Sequence, residues 1–274
     1  MLRSRDLDGV PRPVVALADE YPARFVDPRH SHARAQLLYA ASGVMSVVTD
    51  AASFVIPPQR AIWVPAGVFH EVTCRSAVSV RTLYVEAAAD LPRDCRVIDV
   101  SELLRALILE AMTLPREYDA GGRDGRIVQL ILDSIAIPSS GSLQAPMPRD
   151  TRLLRVCQAL IEDPTRADSL DDWAARACMS RRTFTRGFRD ETGLSFAEWR
   201  QHVRLLEALA RLACGQPVTS IAFDVGYERP SAFTAAFQRA FGVPPSRYLR
   251  GARMLGPLPT GADPPARARS RAAH

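Results

Sequence analysis

Hydrophobic residues form two patterns along the chain, and the first of them predicts β-strands. Between Ala35 and Val85, six short apolar runs are separated by turn residues such as Ser42-Gly43 and Pro57-Pro58. The runs are AQLLYA, GVMSVVT, SFVI, AIWVP, HEVT and VSVRTLYV. Short runs at close spacing are typical of antiparallel strands in a barrel or sandwich. We therefore expect a small antiparallel β-barrel, preceded by residues 1–29 as an arm or an edge strand.

After Asp99 the apolar residues take up helical spacing. One set recurs over Leu103–Ala111 and another over Ile127–Ser134, on either side of Gly121-Gly122. Steps of three and four residues place apolar side chains on one face of a helix. We expect a helical hairpin over residues 99–137, whose apolar face is either buried in the structure or forms a dimer interface.

The chain of 274 residues is long enough for two domains. The segment Ile137–Asp150 is rich in Pro, Ser and Gly, which is typical of a linker. The end of the chain is rich in Pro, Ala and Arg, which predicts disorder. We therefore expect a mixed fold with an N-terminal antiparallel β-barrel and a C-terminal all-α domain. Its parts are the barrel domain over 1–98, the hairpin over 99–137, a linker over 138–150, the helical domain over 151–250 and a disordered tail over 251–274.

The helical domain contains two candidate helix-turn-helix units, at about 170–191 and 218–241. In the first unit, Ser169 and Asp172 have the spacing of a capping box, Ser180 is a good N-cap and Gly193 is a helix-ending glycine. The second unit repeats this pattern around Gly226. The second helix of each unit has a set of outward-facing residues. In the first unit they are Arg181, Arg182, Thr185, Arg186 and Arg189, and in the second unit they are Ser231, Thr234 and Gln238. Arginine binds guanine bidentately, and the remaining arginine and hydroxyl groups can bind phosphates.

Charge is distributed unevenly. Residues 1–150 carry 16 Arg and 18 acidic residues, whereas residues 151–250 carry 15 Arg and 11 acidic residues. The last 24 residues add 4 Arg against 1 Asp. A basic excess confined to the C-terminal part favours a polyanionic partner.

The segment Met179–Tyr248 resembles the DNA-binding domain of the AraC/XylS transcription regulators. The shared features are S-x-R-T-F-x-R-x-F with the following E-T-G, A-x-x-x-G-Y, S-A-F-x-x-A-F and F-G-x-x-P. The resemblance implies seven helices, of which the third and sixth enter successive major-groove segments of double-stranded DNA. It places base contacts at Arg182, Thr185 and Arg186 in the first unit, and at Arg229, Pro230, Ser231 and Thr234 in the second. Because Pro230 and Ala235 stand where long polar residues are common, we expect the first unit to dominate specificity.

Histidines and an amide suggest a site in the barrel. His30 and His32 precede a strand, Gln36 follows, and His70 ends a P-x-G-x-x-H sequence. Three imidazoles and an amide oxygen suit a divalent ion such as Zn, Ni, Fe or Mn. The spacing resembles the two cupin motifs, although Gln36 replaces the usual Glu, and Arg24 and Gln59 replace the leading glycines. A metal site, a metal-free small-molecule pocket and a structural remnant all remain open.

These features together predict a sequence-specific transcription regulator, which we expect to form a homodimer and to be controlled by a small molecule or metal in the barrel. RNA polymerase is a further candidate partner. The alternative is a metal-dependent cupin enzyme with an appended DNA-binding domain, but the carboxylate typical of iron oxygenases is absent from the motif. The five cysteines are widely spaced, which predicts buried hydrophobic residues. The chain lacks a membrane-length apolar run and a signal-peptide pattern, so we expect a cytoplasmic protein.

Overall fold

A computed structural model describes residues 9–86, 91–136 and 143–248 of the chain. The expected disordered tail lies outside these residues. The N-terminal part forms two five-stranded sheets of antiparallel strands. The first sheet has the order β1 (Val14–Tyr21), β8 (Val78–Val85), β3 (Ala35–Ser42), β6 (Arg60–Val64), β9 (Arg96–Asp99). The second has the order β10 (Gln144–Pro146), β5 (Ala52–Ile56), β4 (Met45–Thr49), β7 (His70–Cys74), β2 (Val26–His30).

The expected antiparallel β-domain is confirmed, and each of the six apolar runs forms one strand, β3 to β8. Residues 14–30 form two edge strands, one in each sheet. Successive side chains of a strand point to opposite faces. On β3, Leu38 and Ala40 therefore enter the core between the sheets, whereas Leu37 and Tyr39 enter a second core on the other side.

Two positions where the cupin motif has glycine keep a glycine-like backbone. Arg24 has a φ of 67° and Gln59 a φ of 73°, in the left-handed region that L-residues rarely adopt. At a third turn the glycine itself is required, because a Cβ on Gly43, which has a φ of 80°, would lie 2.2 Å from the carbonyl oxygen of Ala77. The turn geometry thus persists where the motif residue does not.

The helical hairpin consists of α1 (Glu102–Ala111) and α2 (Arg123–Ala136). Its inner face closes the second core over the first sheet. The buried hairpin residues are Leu104, Leu107, Ile108, Ala111, Ile127, Val128, Ile131 and Ile135. Leu103 and Leu130, expected on the same apolar faces, are instead 60% and 47% exposed. Burial against the sheet therefore explains most of the apolar pattern and leaves two leucines on the outer surface.

Part of the segment expected to be a linker is a strand. Residues 138–142 lie outside the described residues, but Gln144–Pro146 form β10, which pairs with β5 at the edge of the second sheet. Leu143, Ala145 and Met147 are buried. Proline is compatible with this strand because Pro146 is the last residue of an edge strand. Its missing backbone N–H therefore removes no hydrogen bond from the sheet.

The C-terminal part is helical, as expected. Its helices are α3 (Thr151–Glu162), α4 (Leu170–Arg176), α5 (Arg181–Thr192), α6 (Phe196–Ala213), α7 (Val218–Asp224) and α8 (Pro230–Phe241). A further helical segment begins at residue 245 and reaches the end of the described part at 248. No helix among the described residues is both long enough and apolar enough to cross a membrane.

Helix α6 packs against the second sheet and joins the two parts of the molecule. The indole N–H of Trp199 donates to the carbonyl oxygen of Pro146 at 2.7 Å, and His202 Nε2 lies 2.8 Å from that of Gln144. Farther along the helix, Glu207 forms an ion pair with Arg75, which directly follows β7. The C-terminal domain is therefore docked on the barrel through β10 and the end of β7.

The expectation that all five cysteines are buried is wrong. Cys74 and Cys157 are buried and Cys95 is half-buried, but Cys178 and Cys214 are exposed. Cys178 lies in the turn between α4 and α5, with a φ of 52°, and Cys214 caps the end of α6. Turns and helix ends lie at the surface, which explains the exposure. All five thiols are free.

Candidate nucleic-acid interface and histidine cluster

The first helix-turn-helix unit is formed by α4 and α5, with sharply defined ends. The capping box at the start of α4 is present, because Ser169 accepts from the Asp172 backbone N–H while the Asp172 carboxylate accepts from that of Ser169. Ser180 caps α5 by accepting from Thr183 N–H, and Gly193 ends it with a φ of 74°. These caps satisfy backbone groups that a helix end leaves unpaired. They fix where the second helix of the unit begins and ends.

The outward face of α5 is strongly basic. Phe184 and Phe188 are fully buried, while Arg182, Arg186 and Arg189 are exposed. Within the described part of the chain, neither Arg182 nor Arg186 has a hydrogen-bond or ion-pair partner. Unpaired exposed guanidinium groups are free to bind an external anion or a base edge.

The other two candidate residues on α5 have partners. Arg181 forms an exposed ion pair of 3.3 Å with Asp171 on α4. Thr185 is half-exposed and donates its hydroxyl to the carbonyl oxygens of Arg181 and Arg182, at 3.0 and 3.2 Å. Its oxygen can still accept a hydrogen bond. Among the described residues, the face of α5 therefore presents two unpaired arginines, together with Arg189 near the Glu198 carboxylate, one held arginine and one acceptor.

The second unit, α7 and α8, has the same interior and a different outer face. Phe233 and Phe237 are fully buried. Ser231 and Gln238 are exposed, whereas Thr234 is half-buried and donates to the Pro230 carbonyl at 2.9 Å. Arg229 is exposed at the N-cap of α8, with Pro230 in the first turn. This face presents polar groups and two exposed arginines, Arg229 at its edge and Arg239 in the last turn of α8.

A groove of about 800 Å³ lies between the two units. One side is the basic face of α5, and the other includes Arg200 and Arg204 of α6 and Tyr227 of the second unit. Sequence analysis did not identify Arg200 and Arg204, since arginines on an amphipathic helix resemble any solvated face. The groove is cationic on both sides, as binding to a DNA backbone requires.

In the barrel, the structure brings three histidines together. The ligand nitrogens of His30, His32 and His70 all lie within 4.8 Å of one another. Two contacts produce this arrangement: His30 on β2 pairs directly with His70 on β7, and the Gly67 N–H donates to the His32 carbonyl at 2.9 Å. The two histidine motifs, separated by some forty residues of sequence, therefore meet at one point.

The free nitrogens of the cluster are buried and unpartnered. His30 Nδ1 lies 2.7 Å from the Pro28 carbonyl, and His70 Nδ1 lies 3.0 Å from that of Val68. A proton on each Nδ1 leaves Nε2 with a lone pair. His32 Nε2, His70 Nε2 and Gln36 Oε1 are buried without a hydrogen-bond partner. Unpartnered buried acceptors on neighbouring imidazole rings fit a bound cation.

Burial keeps two of these imidazoles neutral. Desolvation, together with the neighbouring His30 and His70, lowers the pKa of His32 to about 4. Burial also lowers the pKa of His70. An imidazole must be neutral to donate its lone pair to a metal, so both rings are in the ligand form at neutral pH.

A carboxylate that sequence analysis missed lies beside the cluster. Asp27 Oδ2 is 3.6 Å from His30 Nε2, and the two residues are on β2, where the register shifts between them. The shift brings together side chains that regular alternation would have separated. No local signal in the sequence indicates this irregularity. Asp27 adds negative charge next to a cluster that otherwise lacks it.

Comparison with known proteins agrees with this architecture. Residues 13–180 match the family model of the AraC-like ligand-binding domain, and residues 173–251 match that of a helix-turn-helix domain. The chain is 30% identical over 238 residues to the HTH-type transcriptional regulator NimR of Escherichia coli K12, a match covering 86% of this chain and 87% of the relative. The arabinose operon regulatory protein of Salmonella typhimurium is 27% identical over 62% of this chain and 60% of its own length.

Among solved structures, ToxT from Vibrio cholerae O395 matches 90% of this chain and 99% of its own, with 14% identity and a TM-score of 0.38. The matching relatives are named as transcription regulators, and the protein is accordingly a regulator and not an enzyme. The chain belongs to the AraC family of DNA-binding transcription regulators, with an N-terminal ligand-binding domain and a C-terminal helix-turn-helix domain.

Proposed function

We propose that this regulator is controlled by a divalent metal ion bound by His30, His32 and His70 in the barrel. The observation that carries the proposal is the convergence of three imidazoles whose ligand atoms lie within 4.8 Å of one another. Two nitrogens on one tetrahedral ion lie roughly 3.3 Å apart, because each is about 2.0–2.1 Å from the metal. Small movements of the rings would complete such a site. The carbonyls of Pro28 and Val68 would orient two of the ligands.

The ligand set favours zinc, nickel or iron over manganese. Imidazole suits the first three ions, whereas manganese prefers oxygen ligands. Gln36 offers only a neutral amide oxygen, which is a poor fourth ligand. The carboxylate of Asp27 lies close enough to neutralise part of the charge of the ion.

The position of the cluster suggests how binding would reach the DNA-binding domain. His70 begins β7, and Arg75 directly after its end pairs with Glu207 on α6. A ligand that fixes His70 therefore acts on the strand whose other end contacts the helix between the two units. Metal binding can change DNA affinity only if the ion binds more tightly to one arrangement of the barrel and the DNA-binding domain than to another.

The test measures metal content and DNA affinity on the full-length protein. Metal analysis of the purified chain, followed by calorimetric titration with zinc and nickel, should give about one ion per chain. His32→Ala and His70→Ala should each abolish tight binding. The matched control is His202→Gln, which changes a histidine outside the cluster and keeps a donor for the Gln144 carbonyl.

DNA affinity is then measured on a target selected from random DNA, with zinc and with chelator. For the parent protein, we expect the DNA affinity to differ by about tenfold or more between zinc and chelator. For the His70→Ala variant, we expect the same DNA affinity in both conditions. If His32→Ala and His70→Ala both bound metal like the parent, the metal proposal would be wrong. Metal-independent DNA binding alongside a co-purified organic molecule would identify a small-molecule effector instead.

We further propose that α5 supplies most of the sequence reading and that α8 mainly holds the DNA backbone. The support is the chemistry of the two faces. Helix α5 has four exposed arginines, whereas α8 has one, Arg239, beside polar residues such as the internally bonded Thr234.

We also propose that the outer surface of the hairpin forms the contact of a homodimer. Leu103 and Leu130 remain exposed on helices that are otherwise buried on the barrel. Analytical ultracentrifugation of Leu103→Asp should show a shift towards monomer, and an unchanged dimer would place the interface elsewhere.

A further inference from the structure

The two helix-turn-helix units are joined by α6, and Arg204 lies near the middle of that helix. Its Nε donates to the carbonyl oxygen of Pro164 at 2.9 Å, in the loop that leads into α4. Its Nη1 donates to the carbonyl oxygen of Gly226 at 3.3 Å, in the turn between α7 and α8. A single guanidinium group therefore bonds to the turn of the second unit and to the loop from which the first unit begins.

We propose that Arg204 is a positioning residue that fixes the separation and angle of the two units, and so sets the spacing between the two DNA segments that the protein recognises. The proposal goes beyond the DNA-binding function itself, which the helix-turn-helix domain already establishes. The planar guanidinium presents its N–H groups in a rigid fork, so two bonds made by one group fix its partners in direction as well as distance.

Gly226 fits this interpretation. The residue has a φ of 83°, and a Cβ built on it would lie 3.0 Å from both Cζ and Nη2 of Arg204. The turn of the second unit therefore packs directly on the guanidinium group. A side chain at this position would be strained by the backbone angle and would also press on the arginine.

Burial makes the hydrogen bonds of Arg204 necessary for its charge. Arg204 is half-buried and desolvation lowers its pKa, which shows that the group has lost part of its hydration. A desolvated charge must be compensated by hydrogen bonds, and here the acceptors are backbone carbonyls of the second unit and of the loop before α4. The third, longer bond, of 3.5 Å from Nη2 to the Arg166 carbonyl, reaches the same loop.

Arg200, one turn earlier on α6, provides a matched control. It donates to the carbonyl oxygens of Asp168 and Arg166, in the same loop before α4. Within the described part of the chain, its hydrogen bonds reach only that loop. Arg200 and Arg204 therefore hold the same loop and line the same groove, but only Arg204 also reaches the second unit.

The experiment compares DNA targets that differ only in spacing. A preferred target is selected from random DNA with the full-length protein, and one base pair is then inserted or removed between the two protected segments. One base pair changes their relative rotation by about 35°. Dissociation constants are measured by fluorescence anisotropy for the parent, Arg204→Gln and Arg200→Gln.

We expect the parent protein to lose about tenfold in affinity on the altered spacings, a loss comparable to that of one mismatched base pair. Arg204→Gln should bind the preferred target more weakly and discriminate between the spacings by less than about threefold. Arg200→Gln should keep the discrimination of the parent. Circular dichroism and thermal unfolding establish that each variant is folded.

Two outcomes would overturn the proposal. One is a folded Arg204→Gln variant with the spacing preference of the parent. The other is a lower salt dependence of binding with unchanged spacing preference, which would show that Arg204 contacts a DNA phosphate directly. If Arg204→Gln fails to fold, Arg204→Lys is measured in its place. Its compact ammonium group keeps the charge but not the fork, so the same loss of discrimination is expected.

Discussion

The two helix-turn-helix units are alike inside and different outside. Each buries two phenylalanines four residues apart on its second helix, Phe184 with Phe188 and Phe233 with Phe237. Each second helix ends at a glycine in the left-handed conformation, with φ of 74° and 75°. On the outer faces, α5 carries four exposed arginines, whereas α8 carries a single one, Arg239, among polar residues.

The helix ends differ as well. Side chains cap both helices of the first unit, through Ser169 with Asp172 and through Ser180. In the second unit, Pro217 and Arg229 occupy the N-cap positions and neither makes a side-chain capping bond. The comparison shows that the shape of the motif depends on its interior, whereas the outer residues and caps are free to diverge. The first unit therefore has side-chain caps that the second lacks, in addition to its more basic outer face.

The largest expected effect tests the shared interior. Phe188→Ala and Phe237→Ala should each lower the free energy of unfolding by about 3–5 kcal/mol, because each deletes a fully buried ring. Urea titration followed by circular dichroism measures the change. Phe223→Ala is the matched control, since this phenylalanine on α7 is 57% exposed and its removal should cost less than about 0.5 kcal/mol. A large loss in one unit only would show that the two interiors are not equivalent.

The second effect tests the outer faces. Arg186→Ala should cost about 1–3 kcal/mol of binding free energy and relax the preference at one base pair, because a bidentate arginine discriminates guanine. Thr234→Ala in the second unit should cost less, since the threonine hydroxyl already bonds to Pro230. Affinity for a panel of single-base variants of the selected target measures both.

Arg189→Ala is the control for that experiment. Arg189 is not among the base-contact positions that the family resemblance implies, so we assign it to a phosphate contact. Its removal should therefore weaken binding evenly across the panel and reduce the salt slope by about 0.9. Equal losses from Arg186→Ala and Arg189→Ala on every target would mean that neither residue reads a base.

The smallest effect tests the caps. Ser169→Ala should destabilise the protein by about 1 kcal/mol, because it removes the acceptor for the Asp172 backbone N–H. Pro217→Ser in the second unit should leave stability unchanged or raise it by up to about 1 kcal/mol, because it supplies a cap that is missing there. Thermal unfolding monitors both variants. A loss from Pro217→Ser would indicate that the rigid φ of proline matters more than the cap.

Local signals in the sequence were sufficient for much of the fold. Short apolar runs between turn residues identified β3 to β8, and capping residues and turn glycines indicated the helices that the structure has as α4, α5, α7 and α8. These elements were predictable because the side-chain period, the caps and the turn glycines all lie within a few residues of one another. The resemblance to the AraC/XylS regulators, carried by the same residues, is confirmed.

Other features depended on pairing between distant residues. Strand β10 forms because β5 offers an open edge, and a Pro-containing segment gives no local sign of it. The register shift in β2 brings Asp27 to His30. The role of Arg204 depends on two loops that are more than fifty residues apart in sequence and meet on one side chain.

By itself, the sequence determined most of the elements and the two-part organisation, which follow from short-range periodicity, and the family, which follows from its motifs. Only the tertiary structure decided which groups converge, such as the histidines of β2 and β7, and how α6 contacts the barrel and both units. It also decided which faces of the hairpin remain exposed. The physical reason is that hydrogen bonds and burial act between neighbours in space, and the chain brings such neighbours together only after it has folded.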